Sequence, residues 1–169
     1  MKRVLVIGSP GAGKSTFALK LSKRINLPVI HLDKEFWNPG WIETPADQWR
    51  AKVRELVEPD KWIIDGSYDS SLDIRLPRAD TVIFMDFPRR LCLWRVFKRI
   101  ITSLGKVRFD MAEGCPEKID FGFFKWIWNY RRDHYPKIYE KLNSHHNSKN
   151  LIFIKSPAEA RRFIRDLIP

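Results

Sequence analysis

Cysteine is scarce. The 169-residue chain has two, Cys92 and Cys115, far apart and outside any C-x-x-C pair. That excludes a disulfide framework and argues against a zinc site, and a reducing cytosol fits such a chain. No apolar run approaches the ~18 residues of a membrane span. The opening "MKRVLVIGSPG" holds too short an apolar stretch for a secretion signal and reads as a first strand. Internal repeats, low-complexity tracts and linkers are lacking, as are helix-turn-helix and zinc-finger patterns. What remains, at 44% hydrophobic, is one soluble, cytoplasmic domain with a proper core.

Acid is short in one half only. Residues 1–88 carry 13 Lys and Arg against 12 Asp and Glu, whereas residues 89–169 carry 18 against 8. The excess can serve a polyanion, either nucleic acid or a nucleoside triphosphate, and it can equally be a solvated helical face.

Apolar runs at 3–9, 28–33, 61–66, 81–88 and 150–157 read as strands. Between them, 13–25, 45–57, 89–104, 120–142 and 158–168 carry helical periodicity, the fourth with a bend expected near Pro136. Alternation of this kind predicts a parallel sheet with right-handed crossovers. Residues 34–58 and 104–119 read as excursions from a single domain spanning 1–169. Cys92, within "LCLW", reads as a small buried apolar residue.

"GSPGAGKST" carries the chemistry. Gly8, Ser9, Pro10, Gly11, Ala12, Gly13, Lys14 and Ser15 match G-x-x-x-x-G-K-[ST], between a strand and a helix. Glycines let backbone N–H groups turn inward around an anion, and the helix N-terminus points at the same place. Lys14 is placed for the β- and γ-phosphates, Ser15 for Mg²⁺ and Thr16 for the α-phosphate. Asp33, Asp65 and Asp86 end the second, third and fourth strands, on the rim that carries this loop. Carboxylates there can ligate Mg²⁺, directly or through water, or accept a hydroxyl proton. Each alone can also be a turn residue.

With these residues in view, the chain resembles the adenylate-kinase/shikimate-kinase group of small P-loop kinases. Within it, "HLDKEFWNPGW", "IIDGSY", "RLPRADTVIFMDFPRRLCLWR" and "DMAEGCPEK" resemble the bacterial DNA topology modulation, or adenylate-kinase-related, proteins. The resemblance covers essentially the whole chain. It implies a P-loop NTPase three-layer α/β/α fold, with a five-stranded parallel sheet in the order 2-3-1-4-5. It implies a phosphotransferase using ATP and Mg²⁺ on a small-molecule acceptor. Asp65 would hold a metal-bound water, Asp33 would lie between metal and acceptor, and Asp86 would be mainly structural. Arg95 and Arg99, nine and thirteen residues past Asp86, match a pair that stacks on adenine and pairs with phosphate. Arg131 and Arg132 resemble arginines that stabilise the migrating phosphoryl group. Ser156 and Pro157 resemble an adenine-bordering loop.

Two departures stand out. Where adenylate kinases clamp the acceptor's phosphate with an arginine, this chain has Phe36, and Gly66-Ser67-Tyr68-Asp69 replaces G-F-P-R. The acceptor side instead offers Asp33, Phe36, Trp37, Trp41, Gly66 and Tyr68, with Arg75 and Arg78 as substitutes for the lost clamp. An Asp followed by aromatics also resembles nucleoside and uridine kinases. Asp33 is then the base for an acceptor hydroxyl, or, if the acceptor group is a phosphate, acts on the metal or on positioning. Residues 105–118, with Lys106, Arg108, Asp110 and Glu113, read as a lid without the four-cysteine pattern of zinc-bearing lids. The rival expectation is an ATP-binding regulatory or DNA-binding protein affecting DNA topology, without kinase activity.

Overall fold

The computed structural model describes residues 1–144 and 149–167. Five parallel strands form the sheet: β1 (Arg3–Gly8), β2 (Val29–His31), β5 (Trp62–Asp65), β6 (Thr81–Met85) and β7 (Asn150–Ile154). Their order, β2-β5-β1-β6-β7, is the expected 2-3-1-4-5 counted over these strands.

The strands read as unbroken apolar runs because both faces are covered. Leu5, Ile7, Trp62, Ile64 and Phe84 point to one face. There they meet α3 (Ala46–Leu56), α4 (Leu72–Arg78) and α7 (Tyr135–Asn143), through residues such as Trp49, Leu76 and Ile138. Val4, Val6, Ile63, Ile83 and Met85 point to the other. That side carries α1 (Lys14–Ile25), α5 (Arg89–Ser103) and α8 (Pro157–Asp166). Cys92 is fully buried there, as its apolar neighbours led us to expect. Each large buried side chain contributes roughly 1.5–3 kcal/mol.

Four local differences from expectation have physical causes. Strand β2 stops at His31, and Asp33 lies in the short helix α2 (Leu32–Phe36). A two-residue-per-strand hairpin, β3 (Trp37–Asn38) with β4 (Ile42–Glu43), follows; such short strands leave no alternation to read. Helix α4 has Pro77 in its last turn, which hides it from a periodicity reading. The long basic segment divides into α6 (Phe121–Asp133) and α7 at His134. Pro136 has no N–H for the carbonyl of Arg132 and sits at the start of α7, where none is needed.

Candidate active site

The turn after β1 places Gly8, Gly11 and Gly13 at φ 139°, 79° and 90°. A Cβ on Gly8 would collide with the carbonyl of Met85, and one on Gly11 with the carbonyl of Cys92. The loop therefore needs glycine both for its dihedrals and for its fit against β6 and α5. Ser67 ties it to the end of β5. Its hydroxyl accepts from the Gly8 amide at 3.1 Å and donates to the Gly8 carbonyl at 2.8 Å. Lys14 Nζ donates to the Ser9 carbonyl at 3.2 Å, folding back over the loop, and Arg95 donates to the Ala12 carbonyl at 3.0 Å.

A cavity of about 1200 Å³ opens over this loop and runs to the hairpin. Gly8, Pro10 and Gly11 to Thr16 line its floor. Ser9 is buried behind the floor and contributes its backbone carbonyl. Arg95, Pro157, Ala160 and Ile164 close one end, which suits an adenine ring. Ser156 lies just outside, its hydroxyl capping α8 by accepting from the Glu159 amide at 3.2 Å.

Asp33, Asp65 and Arg99 meet in the middle. His31 Nδ1 lies 3.0 Å from Asp65 Oδ2, both side chains nearly buried, while Asp65 Oδ1 is buried with no hydrogen-bond partner. Buried polar atoms of folded proteins are normally satisfied. Asp65 Oδ1 therefore fits a water or ion over the loop. Among the described residues no cluster of three or more His, Cys, Asp or Glu side chains could chelate a metal. Ser15 and one carboxylate oxygen suit Mg²⁺, which keeps several waters and takes its other ligands from phosphates.

Asp33 accepts from the Tyr68 hydroxyl at 2.7 Å and faces Arg108 Nη2 at 3.5 Å. Its side chain keeps 38% of its surface open, but toward the cavity rather than bulk water. Burial raises its pKa above the ordinary carboxylate range; the Tyr68 hydroxyl and the Arg108 guanidinium pull the other way.

Residues 105–118, expected as a lid, line the cavity through Arg108, Phe109, Asp110, Met111 and Glu117. Arg108 binds Asp110 at 2.7 Å and Glu117 at 2.7 Å. Burial works against its charge, and the two carboxylates outweigh it. Burial likewise opposes the Asp110 carboxylate, but Arg108 and the Ser15 hydroxyl hold its pKa below the ordinary range. Arg99 Nε stands 2.9 Å from Glu117 Oε1, yet its N–H is not aimed there and has no hydrogen-bond partner. Arg99 lines the cavity, and a guanidinium there suits an anionic oxygen.

Four arginines expected at the site lie elsewhere. Arg75 is fully buried behind the wall, and its guanidinium donates to the carbonyls of Gly66, Ser67, Tyr68 and Ser71. It therefore builds the loop after β5 rather than clamping an acceptor, and Arg78 pairs with Glu58 at the surface. Arg131 is exposed and reaches Asp86 at 3.6 Å, and Arg132 pairs with the adjacent Asp133. Neither lines the cavity: Phe123, Trp126, Tyr130 and His134 share the face that does, and Arg131 and Arg132 lie on other, exposed faces. Asp86 keeps its contact with Arg131 through Oδ2, while its Oδ1 is buried with no hydrogen-bond partner.

Phe36, Trp37, Trp41, Gly66 and Tyr68, expected on the acceptor side, line the same cavity. Their rings meet in series: Tyr68 and Phe36 at 4.8 Å, Phe36 and Trp37 at 5.0 Å, Trp37 and Trp41 at 5.4 Å. Sequence reasoning missed the opposing wall. Asp69, Trp126 and His134 belong to it. Trp126 Nε1 donates to His134 Nε2 at 2.9 Å, so His134 Nδ1 carries the proton given to Asp69 at 2.6 Å. Trp126 and His134, spaced eight residues apart across a helix break, gave no local signal.

This is the P-loop NTPase fold in the arrangement of shikimate kinase. The shikimate kinase of Acinetobacter baumannii, solved in complex with shikimate, superposes at TM-score 0.66 and 15% identity, covering 98% of this chain and 89% of that one. A sugar kinase from Janibacter sp. HTCC2649 gives 0.53 at 16% identity, covering 98% and 93%. No protein-family model matches the chain. The uncharacterized protein YqaC of Bacillus subtilis (strain 168) is 28% identical over 133 residues, 76% of this chain and 72% of that protein. The adenylate kinase of Thermosipho africanus is 28% identical over 106 residues, 61% of this chain; the match spans about half, 48%, of that kinase. No helix among the described residues is long and apolar enough to cross a membrane.

Proposed function

We propose that the protein is an ATP-dependent phosphotransferase that moves the γ-phosphoryl group of Mg-ATP to a hydroxyl of a small molecule. One observation carries the reading: a single cavity joins the phosphate loop to an aromatic-walled chamber, with Asp33 between them. The fold likeness to shikimate and sugar kinases, and the 28% identity to an adenylate kinase, support it.

In this reading the loop amides and Lys14 hold the β- and γ-phosphates, and Arg95 with Pro157 borders the adenine. Ser15, with Asp65 through water, would hold Mg²⁺, which screens phosphate charge when bound. The acceptor oxygen attacks the γ-phosphorus as the bond to the β–γ bridging oxygen breaks, and that electron pair leaves with ADP. Asp33 takes the hydroxyl proton. A carboxylate whose pKa is raised by burial is a stronger base than an exposed one. Arg99 and Arg108, rather than Arg131 and Arg132, neutralise charge on the transferring group. Residues 105–118, as a lid, exclude water, which limits hydrolysis.

The test is ADP release from Mg-ATP across a panel of alcohols, with Asp33→Asn as control. A productive acceptor should raise release well above the acceptor-free rate, and Asp33→Asn should abolish the increment. An unchanged increment in that variant would remove Asp33 from the chemistry. No increment with any acceptor, together with tight binding of duplex DNA, would favour a regulatory DNA-binding protein instead.

A further inference from the structure

We infer that the acceptor is an uncharged, ring-bearing alcohol, neither phosphorylated nor carboxylated; this rests on the phosphotransferase reading above and names its substrate class.

Sites that hold phosphate or carboxylate supply arginine forks or lysines aimed at the anion. At the chamber end of this cavity those groups are already engaged. Arg75, the nearest in the chain to the lost clamp, spends its guanidinium on four backbone carbonyls beneath the wall. Arg108 is tied to Asp110 and Glu117 and, in the reading above, serves the transferring phosphoryl group rather than the acceptor. Lys52 and Arg50 stand outside the cavity lining, paired with Glu35 at 2.7 Å and Asp73 at 2.7 Å. Lys118, at the mouth, lies over the Trp41 ring at 5.3 Å. His134 Nε2 accepts a hydrogen bond from the Trp126 indole N–H and its Nδ1 is bonded to Asp69, so both ring nitrogens are already engaged.

Asp33, Glu43, Asp69 and Asp120 line the cavity as well, and of its cations Lys14, Lys20, Arg95, Arg99, Arg161 and Arg165 all belong to α1, α5 and α8, the elements around the donor end. An anionic acceptor would lose its water to a wall that returns carboxylates and indole faces. A neutral ring meets the opposite situation. The walls are flat aromatic faces and edges, which cover a ring at little cost in side-chain freedom. Carboxylates accept hydrogen bonds from hydroxyls without needing a counter-charge.

Trp41 adds an independent sign of purpose. It holds φ at 65°, a left-handed conformation that bulky residues rarely adopt, while Gly40 beside it also has positive φ. Backbone strain of this kind collects at ligand clamps. Here it turns the indole into the chamber, against Trp37 and under the lid.

Two sources share this chemistry, nucleosides and cyclic polyols, and binding can separate them. Calorimetric titration of the whole protein, with Mg²⁺ and a non-hydrolysable ATP analogue saturating the donor end, would use four arms. These are adenosine and uridine; glucose and myo-inositol; AMP and UMP; and shikimate and gluconate. The expected result is that a compound of the first or second arm binds at least tenfold more tightly than its phosphorylated or carboxylated counterpart. Which of those two arms binds identifies the source. Trp41→Ala should weaken that binding about tenfold or more and leave the ATP analogue's affinity in place. Trp41→Phe, which keeps a ring, should retain most of it even if the alanine variant folds poorly. Tighter binding of an anionic counterpart, or no binding by any neutral ring, overturns the inference. Because the readout is binding and not turnover, absence of ADP release from a bound neutral ring would sink the kinase reading alone.

Discussion

The indole N–H of Trp41 donates to the carbonyl of Pro116 at 3.0 Å, joining the acceptor hairpin to the lid. The same seam holds the Gly40 amide against the Gly114 carbonyl at 2.9 Å and Cys115 Sγ against the Asn38 carbonyl at 3.1 Å. A Cβ on Gly114 would stand 2.8 Å from Pro39 Cβ, so the two excursions pack without room for a side chain. Acceptor end and lid therefore move as partners: opening one exposes the other.

Trp41→Phe removes the bond to Pro116 while keeping an aromatic wall. One neutral hydrogen bond contributes about 1 kcal/mol, so the lid should open roughly fivefold more often. Trypsin cleavage after the exposed Lys106 reads this directly and should accelerate by about that factor. An unchanged cleavage rate would show that the seam does not hold the lid.

Tyr68→Phe tests the base. Burial raises the pKa of Asp33, and the Tyr68 hydroxyl opposes that rise. Without the hydroxyl the carboxyl should titrate higher still, so the acidic limb of the kcat profile should move to higher pH. Activity at the acidic end should fall more than activity on the plateau. Stability has its own sign. The folded state binds the Asp33 proton more tightly than the unfolded chain does, so ionising Asp33 costs stability. That cost is absent below the ordinary carboxylate range and grows as pH rises toward the folded value. Asp33→Asn should therefore melt higher than the native protein at neutral pH, with the gap closing in acid. A gap that widens in acid would contradict the raised value.

These residues also mark how far the sequence could be read. The five strands were legible because burial on both faces writes a continuous apolar run, and the phosphate loop because its glycine spacing has few other uses. The chamber was half legible: Trp37 and Trp41 follow Asp33 closely in the chain. Trp126 and His134 arrive from a helix nearly a hundred residues away, where an aromatic helix reads equally well as core. Arginine roles were the least legible. Arg75, Arg108 and Arg131 look alike as letters, and their partners separate them: four carbonyls, two carboxylates of 105–118, and Asp86 reached from an exposed helix face.

Arg75→Met probes that distinction. The guanidinium is fully buried, and burial lowers its pKa to about 10, yet it remains charged near neutrality against its carbonyl partners. Its loss leaves the Gly66, Ser67 and Tyr68 carbonyls without their donor, at a cost of roughly 3 kcal/mol. Thermal melting should fall by several degrees or more. Acceptor KM for the folded fraction should change little beyond that, whereas a clamp residue would raise KM selectively with an unchanged melting temperature.

Arg108 should behave as the opposite of Arg131 and Arg132. It lies in the cavity between Asp33 and the lid carboxylates, where phosphoryl charge develops in the proposed reaction. Arginines that act on such charge contribute about 10³-fold or more to turnover. Arg108→Ala should lower single-turnover rates by roughly that order, and Arg108→Lys should recover only part, since an ammonium lacks the planar fork. Added guanidinium ion should partly restore the alanine variant, a rescue that a purely structural defect does not allow. Arg131→Ala and Arg132→Ala, whose side chains are exposed and paired with Asp86 and Asp133, should stay within about twofold of the native rate. A large loss in either, with Arg108→Ala near native, would return the catalytic role to α6 and require that helix to move over the phosphate loop during turnover.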